Sequence, residues 1–570
     1  MAQNNLSVSI LIAYLKHYGV RKLVLSPGMR NIPFVTTVEV DPFFECYSVV
    51  DERNAAFFAL GLSQKSGEPV GLACTSGTAV SNYLTGLSEA YYSHAPIVAI
   101  TCDRSPYVLG QLETQKVDQR GALKSAVKES IELPVLKDVD DVWCFERLLN
   151  EGLIALRRGL PGPVHFNMPL VGDTNALWDE GSRKKVESSM KFIDFVDLHD
   201  EAGFAAKREC LLAAKRVMLV MGYTYPGNER LKKAIDRFCE IYRCPILADN
   251  LSNYRGENFI SAEAVMKGLN GETFSRVIPD IVITFGMNFQ ERIKDLFKAN
   301  KGKSQHWGID AEGKVRDCFK SQTAVFNCRP EEFFECMAEG APVASGDEAY
   351  LSTWRSLEKV AQLPELPYGN FYAITEFCKV IPENALLHVS ILNATRLVQF
   401  TKLPPTVEVF GNVNTFGIDG CLPTFMGQAA ASSKPAFLII GDISFFYAMN
   451  ALGIKHRNRN VHVLLINNGG AAEFHIPPTS HAVPTIDQHI GVAHNRTARG
   501  WAESLGYEYL SANDPKTLKT VLQYFVRPDN DAPVLLEVFA DMKRDGEFCL
   551  SVYRDLEEKV NPVMEGALHD

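Results

Sequence analysis

Gly441-Asp442-Ile443-Ser444 stands behind the apolar run 436–440, and Asn467-Asn468-Gly469-Gly470 stands behind the apolar run 461–466. Runs of this length and composition read as buried parallel strands, with a helix in the residues between them. A carboxylate at the end of one strand and a carboxamide at the end of the next then meet at one edge of a sheet. Open α/β sheets bind ligands at that edge. Asp442, the side-chain oxygen of Asn468 and a backbone carbonyl near Gly470 are hard oxygen donors, suited to Mg²⁺ or Mn²⁺ in an octahedral site. The plain alternative is two ordinary strand-to-helix turns, with Asp442 as an N-cap.

Outward from this stretch the chain alternates strands and helices, which predicts α/β units with parallel sheets. The expected division is three consecutive doubly wound domains, 1–180, 190–340 and 370–560, with linkers at 180–210 and 340–370. In the first, strands end at Ser26-Pro27-Gly28-Met29-Arg30, at Asp51-Glu52-Arg53, at Thr75-Ser76-Gly77-Thr78-Ala79 and at Cys102-Asp103-Arg104. The third of these turns runs into a helix N-terminus, a backbone arrangement that favours anions. The central domain lacks a Gly-X-Gly-X-X-Gly loop after its first strand, so a Rossmann-like scaffold is expected there without a nucleotide.

The 570 residues are 46% hydrophobic and 22% charged, with a net charge of −10 and no basic cluster, which argues against a nucleic-acid surface. Thirteen cysteines without a CxxC pair fit reduced thiols, not a disulfide framework or a zinc site. No signal peptide or membrane-spanning run is evident, and the expected location is cytoplasmic.

The Gly-Asp-X-Ser…Asn-Asn pattern, with the turns quoted above and Phe416-Gly417-Ile418-Asp419-Gly420, resembles the thiamine-diphosphate enzymes of the pyruvate-decarboxylase-like family. Within it the resemblance is to the carboligases of menaquinone biosynthesis, and it covers nearly the whole chain. The resemblance implies a pyrimidine-binding first domain and a diphosphate- and metal-binding third domain. It implies decarboxylation of a 2-oxo acid and transfer of the acyl-anion equivalent to an anionic acceptor; in that subfamily these are 2-oxoglutarate and isochorismate. Glu52 matches the carboxylate that partners the pyrimidine N1′ and acts as general acid/base through the ring. Ile418 matches the apolar residue under the cofactor. Gly441, Asp442, Ser444 and Asn468 match the diphosphate motif, and Asp442, Asn468 and Gly470 match the metal ligands. Arg30, Arg104, Gln115 and Arg396 match the substrate cluster, with Gln115 also counted as catalytic and Arg292 counted as a further substrate contact. Arginine forks suit carboxylates. A homodimer or homotetramer with its active site between subunits is implied too.

The sequence departs from that pattern at the substrate end. Met29 stands in place of Ser, Val413 in place of an arginine, Ile391-Leu392 in place of Asn-Ser, and Arg292-Ile293 in place of Lys-Arg. Glu473, beside Phe474 and His475, stands in place of an apolar pocket residue. Glu473 is therefore expected either to face a hydroxylated or cationic substrate group or to pair with a neighbouring arginine. A related enzyme with a changed donor or acceptor, and a decarboxylase that does not ligate, remain as alternatives.

Overall fold

The computed structural model describes residues 3–171, 190–342, 346–455, 459–476, 483 and 485–566. Its strands form three parallel sheets in an α/β fold. The chain forms two compact units, Met1–Asp197 with Asp310–Asn327, and Leu198–Ile309 with Cys328–Asp570.

In the first unit the strands are β1 (Lys22–Leu25), β2 (Glu45–Ser48), β3 (Val70–Cys74), β4 (Ile97–Asp103), β5 (Glu129–Glu132) and β6 (Val164–Pro169). They lie in the order β2-β1-β3-β4-β6-β5. β3 and β4 are buried along their whole length. Both faces are covered, by Ile10, Tyr14, Phe145 and Phe166 in one cluster and by Ala55, Ala59, Tyr83 and Leu87 in the other. That explains why these strands read as continuous apolar runs instead of alternating ones. The order reverses between β1 and β3, so the crevice beyond their C-terminal ends is this sheet's switch point. Asp194–Asp197 (β7) lies parallel to Gln322–Asn327 (β13 in chain order).

The second unit holds β8 (Val217–Met221), β9 (Ile246–Ala248), β10 (Phe259–Ser261), β11 (Ile281–Phe285) and β12 (Gln305–Ile309), ordered β10-β9-β8-β11-β12. It also holds β14 (Leu386–Val389), β15 (Glu408–Gly411), β16 (Ala436–Gly441), β17 (Val461–Asn467), β18 (Glu508–Ala512) and β19 (Val534–Phe539), ordered β15-β14-β16-β17-β19-β18. Here the order reverses between β14 and β16. Gly441 sits opposite Ile466 in the ladder, so the two quoted turns leave the sheet side by side.

Both expected linkers carry structure. Residues 172–189 lie outside the described residues, but β7 and the helix Glu201–Ala213 follow directly. β7 reads Asp-Phe-Val-Asp, too short and too charged at its ends to register as a strand. In 340–370 the helix Glu348–Val360 packs Tyr350, Leu351, Trp354 and Leu357 inward, with Asp347 as its N-cap. No described helix is long and apolar enough to cross a membrane. All thirteen cysteines are free thiols.

Candidate active site

At the first unit's switch point Gly28 approaches Thr75 so closely that a Cβ on residue 28 would lie 2.3 Å from that of Thr75. Only glycine fits, and the close approach lets Arg30 N donate to Thr75 Oγ1 at 3.1 Å. Gln115 Nε2 donates to the Ser76 carbonyl at 3.0 Å, and Gly77 N donates to Gln119 Oε1 at 3.2 Å. Arg104 leaves the end of β4 and donates to Glu113 Oε2 at 3.1 Å. Beneath it Lys116 and Asp103 form an ion pair at 2.7 Å with side chains 4% and 5% exposed, and Lys116 also donates to the Arg104 carbonyl. This buried pair ties the segment carrying Gln115 to the strand end carrying Arg104. Burial and then the charge of Arg104 lower the pKa of Arg30, so two guanidinium groups share this edge. Glu52 is the first residue of the helix Glu52–Ser66. The cap is Asp51, whose carboxylate accepts from Asn54 N. Glu52 is therefore not spent on capping.

In the second unit Asp442 is likewise not an N-cap. Gly441 holds that position without a side-chain bond. The Asp442 carboxylate instead reaches across to the neighbouring turn, where Oδ2 accepts from Gly469 N at 2.8 Å and Gly470 N at 3.1 Å, while Oδ1 accepts from Ile443 N. Residue 470 must be glycine, since a Cβ there would lie 2.6 Å from Met542 Sδ and 2.7 Å from the Gly491 carbonyl. The two asparagines divide the work. Asn467 turns inward to Glu537 Oε1 and the Arg496 carbonyl, and Asn468 stays at the cavity. Ser444 Oγ donates to the Ile418 carbonyl at 2.6 Å, which fixes the loop carrying Ile418.

A cavity of about 310 Å³ opens from Asp442 and Asn468. Ile418, Leu392, Glu473 and Phe474 are among its walls, and no lysine or arginine lines it. Leu392 holds a left-handed backbone, φ 62°, at this wall. Val413 is a buried core residue whose carbonyl accepts from Asn288.

The contacts decide two of the expectations for the substrate end. Arg292 is not brought to this cavity; it donates to the carbonyls of Met266 and Leu269, beyond the helix Ala262–Gly268. Of the two alternatives for Glu473, the structure has the pairing with a neighbouring arginine. Glu473 pairs with Arg396 in both arms of the fork, at 2.6 and 2.9 Å. His475 pairs with Asp487, which Lys543 also holds.

Residues 8–122 match the N-terminal TPP-binding domain of thiamine pyrophosphate enzymes, and residues 392–538 match the C-terminal TPP-binding domain. Over 551 residues the chain is 34% identical to a 2-succinyl-5-enolpyruvyl-6-hydroxy-3-cyclohexene-1-carboxylate synthase of Bacteroides fragilis, an overlap of 96% of this chain and 98% of that one. The chain belongs to the thiamine pyrophosphate enzyme family. Synthases of the same name from Bacteroides thetaiotaomicron and Flavobacterium johnsoniae are 32% and 29% identical over 559 and 530 residues. These overlaps cover 96% and 91% of this chain and 98% and 93% of theirs. The protein is thus a thiamine-diphosphate-dependent enzyme of the decarboxylase and carboligase type.

The donors in the second unit fit a thiamine pyrophosphate enzyme's metal and diphosphate. Burial pushes the Asp442 carboxyl up to about 6 in spite of its backbone donors, so a neighbouring cation would relieve a real electrostatic cost. His494 does not serve as that cation. It stands 3.4 Å from Asp442 Oδ2 without a hydrogen bond, and burial and then Arg496 lower its pKa. Among the described residues no group of three or more His, Cys, Asp or Glu could hold a metal alone, so diphosphate oxygens would have to complete the set.

The sequence reading missed Asp545, on the helix Met542–Gly566. Its Oδ2 accepts from Asn468 Nδ2 at 2.9 Å and its Oδ1 from Asn370 N at 3.0 Å. That fixes the Asn468 amide with its oxygen free to act as a ligand. Asp545→Ala is expected to weaken thiamine diphosphate binding about 10- to 100-fold if Asn468 holds a metal there, the usual cost of losing a partner that orients a metal ligand. Titration calorimetry with thiamine diphosphate at fixed Mg²⁺ measures it, and unchanged affinity would deny Asp545 that role.

Proposed function

We propose that the enzyme decarboxylates a 2-oxo acid and joins the resulting acyl-anion equivalent to an anionic acceptor, with Mg²⁺ or Mn²⁺ as the metal. On the pattern of its synthase relatives the pair is 2-oxoglutarate and isochorismate. The observation that carries this reading is the cavity that starts at Asp442 and Asn468 and ends at Glu473 and Phe474. It offers a metal-binding mouth and a water-excluding body in one space.

Thiamine diphosphate, when bound, supplies the carbon nucleophile and the electron sink for loss of CO₂. The chain's own residues bind and orient. Asp442, Asn468 and the Gly470 carbonyl hold the cation, with Gly441 and Ser444 beside the diphosphate. Ile418 supports the cofactor from below. Glu52 holds the proton at the pyrimidine N1′. Arg30, Arg104 and Gln115 receive the anionic acceptor. On the family pattern the pyrimidine-side and metal-side residues of one site come from different subunits, so we assign the site to two subunits of a homodimer or homotetramer. Exposed apolar side chains support an assembly, among them Phe57, Phe58 and Tyr92 in the first unit and Phe416 and Tyr447 in the second. Sedimentation equilibrium giving only monomer with cofactor and Mg²⁺ present would remove it.

A second reading, the same chemistry with a changed donor, is favoured by the Glu473–Arg396 pair. The deciding assay is CO₂ release from a panel of 2-oxo acids, with and without isochorismate. Release from 2-oxoglutarate that rises with isochorismate supports the first reading. Release from another 2-oxo acid supports the second, and none from any acid with any acceptor removes both.

A further inference from the structure

Arg396 lies on the helix Asn393–Val398, which leaves the C-terminal end of β14 and runs beside the cavity. Its Nη1 donates to Glu473 Oε2 and to Asn393 Oδ1, and its Nη2 donates to Glu473 Oε1. The two side chains are 23% and 24% exposed. Burial opposes the charge on the guanidinium, and the hydrogen bonds to Glu473 more than offset it, so Arg396 stays protonated. Glu473 lines the cavity and Arg396 does not. The carboxylate of Glu473 thus occupies a guanidinium fork that would otherwise be open to a carboxylate beside the cavity, and it stands between that fork and the cavity.

We propose that Glu473 is a specificity-determining residue: by capping Arg396 it sets this pocket for 2-oxo acids whose far end is uncharged, and against those that end in a second carboxylate. The proposal rests on the second reading above, the same chemistry with a changed donor, and names that donor's class. A second carboxylate entering here has to displace a partner that is tethered to the same chain and so present at high effective concentration. It also leaves the displaced Glu473 as an uncompensated anion in a half-buried wall. A methyl-terminated chain incurs neither cost against the apolar walls at Ile374, Leu392 and Phe474. Glu263, buried nearby, and the Tyr553 hydroxyl also act electrostatically on Arg396, but neither forms the two-armed contact that Glu473 makes.

The test compares 2-oxoglutarate with 2-oxopentanoate, the same carbon chain without the distal carboxylate. Steady-state CO₂ release is measured with thiamine diphosphate and Mg²⁺ for the wild type, Glu473→Gln and Glu473→Ser. The wild type is expected to show the higher kcat/KM on 2-oxopentanoate. Both variants are expected to shift the ratio towards 2-oxoglutarate by about tenfold or more through KM, the size of one charge-assisted hydrogen bond. An unchanged ratio overturns the proposal, as does a wild type that prefers 2-oxoglutarate, and the latter result needs no variant to fold. Calorimetric titration with glutarate separates recognition from chemistry. Binding to Glu473→Gln at least about tenfold tighter than to the wild type supports the cap even where no acid releases CO₂, a result that would sink only the decarboxylase reading. Equal glutarate affinity sinks the cap.

Discussion

Glu52→Gln is expected to lower turnover by at least about a hundredfold, the lower end of what a positioned general acid/base contributes. Thiamine diphosphate should still bind within a few-fold of its wild-type affinity. The two parts belong together. Asp51, not Glu52, caps the helix, so the substitution leaves the Asn54 N–H satisfied and the helix intact. The residues proposed for the diphosphate lie in the other compact unit and keep their geometry. A glutamine keeps the shape of the side chain but cannot take up and release a proton at the pyrimidine N1′. Single-turnover CO₂ release, read against cofactor affinity from calorimetry, checks both halves. Turnover equal to the wild type would exclude Glu52 from catalysis. A parallel loss of binding would make it a structural residue.

The second large effect is expected at Asp442. Its carboxylate accepts from three backbone N–H groups, of Ile443, Gly469 and Gly470. In Asp442→Asn the amide NH₂ must face one of these donors whichever way it is turned. A buried donor left without an acceptor costs about 1–3 kcal/mol. The larger loss is linkage. Cofactor and metal at about a hundred times their Kd stabilise the wild type by about 2.7 kcal/mol, and a variant that cannot hold the cation gains none of it. Thermal unfolding with and without thiamine diphosphate and Mg²⁺ should show a cofactor-induced rise in Tm for the wild type and none for Asp442→Asn. A variant that kept the full rise would place the metal elsewhere.

The legible parts of this protein are those whose physics is local. An apolar run that stops at Gly-Asp or Asn-Asn announces a buried strand and the polar group at its mouth, and β16 and β17 end there. The α/β class followed from the same alternation. What stayed hidden depends on contacts remote in sequence. Asp545 carries no motif, and only the fold brings the start of its helix against Asn468. Glu473 was visible as an odd residue, but its choice between a ligand and Arg396 is settled by which group lies within reach. Arg292 was grouped with the substrate residues, but its donors are taken by the carbonyls of Met266 and Leu269. β7 was read as linker because a four-residue strand with an acid at each end has no periodicity to detect. The return of Asp310–Asn327 to the first unit had no composition signal at all.

Leu392 holds its strained backbone, φ 62°, at the cavity wall. A branched side chain in a left-handed backbone costs on the order of 1 kcal/mol that glycine would not. Leu392→Gly would relieve that strain, but the side chain packs against the core of its sheet, and losing it costs more than the strain returns while also removing part of the cavity wall. Libraries built to make this enzyme more robust should therefore leave position 392 alone, since neither the core nor the cavity gains from the exchange.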